Sequence, residues 1–173
     1  MVVGVTPDFE ARSNFEFVLA RALNARNINA IQSTVVFEKL FQDATKTEEE
    51  IEAQINQLLT VGYDTVLISS VKGIKENESR SGASPQFDYN LQRFLGGYLA
   101  SRDDYFSQDD YKKYKIFYVE TAIYSLKKDQ KKSLIWYEKH NIIDPTNIAE
   151  VTDDYVKIIV KSMEDEKLIF KKK

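Results

Sequence analysis

A chain of 173 residues with 43% hydrophobic and 29% charged residues suits one globular domain with room for a sizeable core. Its net charge of −3 gives no reason to expect a nucleic-acid partner, and the absence of cysteine removes disulfides, thiolate metal sites and thiol nucleophiles. No run of about 18 apolar residues occurs, so no transmembrane segment is expected.

The charge is unevenly placed. Residues 1–110 carry 10 Lys and Arg against 17 Asp and Glu, whereas residues 111–173 carry 14 against 10. The basic excess lies in "KKDQKK" and the terminal "KKK", which read as a solvated turn and a tail.

Residues 2–6 form an apolar run that predicts a buried first strand. "SNFE" after it matches a capping box, with Ser13 as the cap and Glu16 reaching back. Phe15, Val18, Leu19, Ala22 and Leu23 then share one helical face, and Asn27 suits the left-handed turn at that helix's end. "INAIQSTVVF", residues 28–37, predicts a second strand. "TEEE" at 47–50 is another capping box, followed by a stripe of Ile51, Ile55, Leu58 and Leu59 and a stop at Gly62. "DTVLISSV", residues 64–71, predicts a third strand covered on both faces.

The pattern changes over about 74–112, a polar and aromatic-rich insertion with no clean period. "KIFYVETAIYSL" and "SLIWYEKHNII" then alternate as two strands around a polar turn, so 115–143 predicts a β-hairpin. Asn147 and Glu150 read as a cap pair for a last helix that buries Ile148, Val151, Tyr155, Ile159 and Met163. The expected architecture is a single α/β domain over 1–173, in the order βαβαβ, insertion, ββα. Its sheet is expected to be mixed and mostly parallel, flanked by helices, with the hairpin antiparallel at one side.

Chemistry-bearing residues are sparse. His140 is the one histidine, and it sits on the second hairpin strand with no serine beside it in sequence, which suits a structural or surface role. Glu120, in mid-strand, either serves a cleft or pairs with a lysine across the hairpin. Adjacent Trp136 and Tyr137 must face opposite sides, one toward the core. No catalytic residue, cofactor or metal site is expected.

Two surfaces remain as candidates. In open α/β sheets ligands bind beyond the carboxyl ends of strands. There the loop "TPDFEARSN" offers Asp8, Glu10, Arg12 and Ser13, with Ser69 and Ser70 on the third strand as neighbours. The loop has no glycine to wrap a phosphate, and its acids would repel one, which favours a plain capped connection over a small-ligand or hydrolytic site. The insertion offers Tyr89, Phe94, Tyr98, Tyr105, Phe106 and Tyr111, either as a partner-binding surface or as a cover for the sheet edge.

"VVGVTPDFEARSNFE", "TEEEIEAQINQLLTVGYDTVLISSV", "VETAIYSLKKDQKKSLIWYEKHNIIDP" and "KIIVKSMEDEKLI" together resemble a group of small Gram-negative envelope lipoproteins of unknown function. The arrangement is also similar to the α/β module of periplasmic assembly proteins, such as the amino-terminal domain of the Tol-Pal translocation protein. The resemblance spans the chain except 74–112 and rests on structural motifs. It implies a periplasmic or outer-membrane location, a lipid anchor on an upstream cysteine and no catalytic residues to carry over. The role it implies is binding a protein or an envelope component.

The chain departs from that group in having no lipobox, signal peptide or cysteine. Because Met1 leads straight into the first strand, the expectation is that a leader once preceded it. A native start at Met1 would instead place the protein in the cytoplasm.

Overall fold

The structure is a computed structural model, and it describes residues 1–6, 8–36, 47–74, 116–127, 133–143 and 148–171. In chain order these form β1 (Val2–Val5), α1 (Phe9–Asn24), α2 (Ser33–Val36), α3 (Glu48–Thr60), β2 (Thr65–Ile74), β3 (Ile116–Ser125), β4 (Leu134–Ile143) and α4 (Ile148–Asp165).

The fold is α/β, with a four-strand mixed sheet in the order β1-β2-β3-β4. β1 and β2 run parallel, with Val3 opposite Ile68 and Val5 opposite Ser70. β2–β3 and β3–β4 are antiparallel, and β3–β4 is the expected hairpin, with a register shift at Ile123/Tyr124. The described sheet therefore has one parallel pair, where the sequence pattern predicts a mostly parallel sheet.

The difference originates in residues 28–36, where no second strand forms. A single parallel bridge joins Val2 to Gln32, after which the chain turns into α2, one helical turn long. The physical reason is a carboxylate. Glu16 Oε1 accepts the Gly4 N–H at 2.9 Å and the Ser33 hydroxyl at 2.6 Å, while Oε2 accepts the Thr34 N–H at 2.9 Å. The edge donor that a continuing strand would satisfy is thus already bonded.

Glu16 consequently does not reach back to a cap, and Ser13 is not the cap of α1. Asp8 holds that position, its Oδ1 accepting from Glu10 N at 2.9 Å and Ala11 N at 3.0 Å. Asp caps as well as Ser does, and starting the helix at Phe9 turns Glu16 inward, where it is fully buried.

The helix ends follow the sequence more closely. Asn27, just past α1, adopts the left-handed region with φ 62°, and Gly62, just past α3, has φ 91°. Thr47 and Glu50 form the expected capping box in both directions, 3.2 Å and 2.9 Å.

Strand alternation splits the core in two. Val3, Val5, Val66, Ile68, Ala122 and Tyr124 pack with Ile55 and Leu58 of α3 on one face. Val2, Leu67, Val119 and Trp136 pack on the other with Phe15, Leu19 and Leu23 of α1 and Tyr155, Ile159 and Met163 of α4. Each fully buried aliphatic side chain here, such as Leu19 or Ile159, contributes roughly 1.5–3 kcal/mol. α1 and α4 are also joined by an ion pair, Arg26 Nε to Glu164 Oε1 at 2.7 Å.

The turn at 128–132, the insertion aromatics Tyr89, Phe94, Tyr98, Tyr105, Phe106 and Tyr111, and the cap residue Asn147 lie outside the described residues.

Candidate functional site

The carboxyl end of β1 is the place to look for a site, because α1 leaves the sheet there. β4 runs in the same direction as β1, so α4 follows it from that end too. Gly4 lets α1 approach closely. A Cβ at Gly4 would stand 3.1 Å from Arg12 Cγ and 3.3 Å from Phe15 Cδ1.

Of the loop residues singled out in sequence, Asp8 is spent as the α1 cap and Glu10 is exposed in the first turn. Arg12 is buried, with Nε 3.4 Å from Glu16 Oε1 and the guanidinium carbon 5.9 Å from the Phe9 ring centre. Ser13 is half-buried one residue on.

Ser69 and Ser70 do not act together. As neighbours on a strand they lie on opposite faces, and both are buried. Ser70 stands in register with Val5 and Glu120 on the α3 face. Ser69 lies beneath α4, its hydroxyl 2.9 Å from Thr121 Oγ1 and 3.2 Å from the Tyr155 hydroxyl. Thr121 and Tyr155 also hydrogen-bond each other, which closes a triangle of three hydroxyls.

Each hydroxyl in that triangle can donate once and accept once, so the group satisfies itself in the core. Burial pushes the Tyr155 phenol up to about 12, against the lowering effect of its bonds to Ser69 and Thr121. It therefore stays protonated at neutral pH and keeps its proton for the triangle.

Next to it along β4 are Glu138 and His140. His140 Nε2 is 3.2 Å from Glu138 Oε2, and the imidazole edge meets the Tyr155 ring at 5.7 Å between centroids. The buried imidazole nitrogen thus faces a carboxylate rather than a hydroxyl, which is not the arrangement of a nucleophile and its base. On the other face Glu120 accepts an ion pair from Lys139 at 3.0 Å, the cross-hairpin lysine option raised by the sequence. Trp136 is buried and its neighbour Tyr137 exposed, as alternation requires.

Sequence reasoning missed Glu16, Ser33 and Thr121. The usable signal lay in Tyr155, placed on a buried helical face, because a buried phenol needs partners and Ser69 and Thr121 are small polar residues on core strands. Glu16 gave no such signal, since its capping-box spacing offered a sufficient local explanation. Among the described residues no group of three His, Asp or Glu side chains could hold a metal ion, and no helix is long and apolar enough to cross a membrane. No protein-family model matches this chain, and no curated protein matches it.

Proposed function

We propose that this chain is a non-enzymatic module of the cell envelope that binds a protein or another envelope component. In this reading residues 1–173 form a single α/β domain whose contact surface is the hairpin edge together with the aromatic insertion at about 74–112. A lipid anchor on an upstream segment would hold it at the periplasm or outer membrane.

The observation that carries the binding role is the contrast between the two sheet edges. On β1 the outward donors of Val2 and Gly4 are taken by Ile31 O and Glu16. Among the described residues β4 ends the sheet on the other side, with Ile135 49% exposed. Such an edge accepts an added strand, whose main-chain hydrogen bonds give affinity while side-chain pockets give specificity. Asp8, Arg12 and Glu16 at the carboxyl end of β1, meanwhile, are engaged in holding the fold together.

The test begins with cell fractionation and the intact mass of the native protein. A lipidated, membrane-associated form is expected, and a soluble cytoplasmic form beginning at Met1 would remove the envelope setting. Pull-down from envelope extracts should then lose its partner when Ile135→Lys blunts the edge or Tyr98→Ala and Phe106→Ala strip the insertion. Partner capture unchanged by all three would rule out these surfaces.

A further inference from the structure

The outer edge of β1 presents two donors that a fifth parallel strand would use. Val2 N–H donates to Ile31 O at 2.8 Å, and Val2 bridges to Gln32 in parallel register. In a parallel ladder the next donor on that edge, Gly4 N–H, would meet the carbonyl two residues further along its partner, that of Ser33. It meets Glu16 Oε1 instead, at 2.9 Å. The same carboxylate binds the Ser33 hydroxyl and Thr34 N–H, so it stands in for the missing strand and also holds the chain in the turn that replaces it.

That turn is an unfavourable home for its own sequence. Three of the four residues in α2, Thr34, Val35 and Val36, are β-branched, which disfavours a helix and favours a strand. Val35 is 67% exposed. If the Val2–Gln32 register simply continued, Val3 would face Ser33, Gly4 would face Thr34, and Val35 would fall beside the buried Val5 on the α3 face.

We propose that residues 32–36 are a fifth strand held off the sheet by Glu16. The segment has two packings, a helical turn tied to the carboxylate and an extended strand on β1, and Glu16 selects the first. Two-state elements of this kind switch by exchanging one local set of bonds for another. The exchange here is the Ser33 carbonyl for the Glu16 carboxylate at Gly4 N–H.

The test uses Val5→Cys together with Val35→Cys, in a chain that has no other cysteine. In the extended packing these two positions are register partners, and adjacent-strand partners lie within disulfide reach. Cross-linking under a mild oxidant is expected to be at least roughly tenfold faster when Glu16→Leu is added, because several bonds to a buried carboxylate are lost. Equal rates with and without Glu16→Leu overturn the proposal.

As a check that keeps Glu16 in place, Ser33→Val with Thr34→Val removes the buried hydroxyl held by the carboxylate and raises strand preference. Carbon chemical shifts at residues 34–36 should then move from helical toward extended values. Helical shifts retained in that variant also overturn the proposal.

Discussion

Tyr155 ties a single side chain to the pH response of the whole core. Burial raises its phenol to about 12 from the ordinary value of 10.0. Above pH 10 the unfolded chain gives up a proton that the folded chain keeps. The resulting stabilisation is complete below pH 10 and is lost as pH rises toward 12. Tyr155→Phe should cost about 1 kcal/mol near neutrality, by breaking the hydroxyl triangle. The same substitution should also remove up to roughly 3 kcal/mol of the alkaline loss, because holding one proton against each tenfold fall in its concentration is worth about 1.4 kcal/mol. Urea unfolding of both proteins at neutral and alkaline pH measures this directly. Parallel pH profiles would mean that other groups cause the alkaline loss.

At the scale of an element, α3 shows how local sequence fixes a helix start. Thr47 accepts from Glu50 N while Glu50 Oε2 accepts from Thr47 N, satisfying two donors that the helix itself cannot. Both residues are exposed, so the cap acts with little help from packing. Thr47→Ala is therefore expected to destabilise the fold by about 1 kcal/mol, and Thr47→Ser by much less. Chemical denaturation reads the difference, and identical midpoints for Thr47→Ala and the parent would show that α3 is held by its apolar stripe alone. α1 behaves differently. "SNFE" and Asp8 both offer chemically sound caps, so local sequence does not fix its start, and the choice between them is made by where Glu16 can bond.

Across the whole molecule, the amino terminus forms part of the sheet. The Met1 ammonium donates to Thr65 O at 2.8 Å, and Met1 O accepts Leu67 N–H at 2.9 Å, so the parallel ladder extends to the first residue. Where Met1 carries a free amino group, burial lowers it to about 6 from 8.0, with Asp64 opposing the shift. Between pH 6 and 8 the unfolded chain binds the extra proton, so stability rises with pH across that window and is lower by up to roughly 3 kcal/mol below it. Acetylating the terminus should flatten this dependence and stabilise the acid side, as followed by urea midpoints from pH 5.5 to 8.5. A slope that survives acetylation would assign the effect to another group.

Much of the fold is legible in the chain before any long-range contact is known. The first strand, the hairpin, the Thr47 cap, the left-handed Asn27 and Gly62, and the buried Tyr155, Ile159 and Met163 of α4 all depend on near neighbours and periodicity. Backbone sterics, local hydrogen bonds and the spacing of apolar residues decide these features, and all are written within a few positions of each other. Trp136 and Tyr137 separate for the same reason, because strand alternation needs no knowledge of the partner.

The fate of residues 28–36 and of the candidate site is set by long-range packing instead. Their β-branched run is extended by propensity, yet Glu16, a dozen or more residues away in sequence, takes the bonds that a strand would make. Ser69 and Ser70, neighbours in the chain, go to opposite faces and different partners. Ser69, Thr121 and Tyr155 come from three elements into one buried group. Such outcomes turn on where a few buried polar atoms find partners. Tertiary contacts settle that, because an unsatisfied polar group in the core costs more than a local conformational preference can supply.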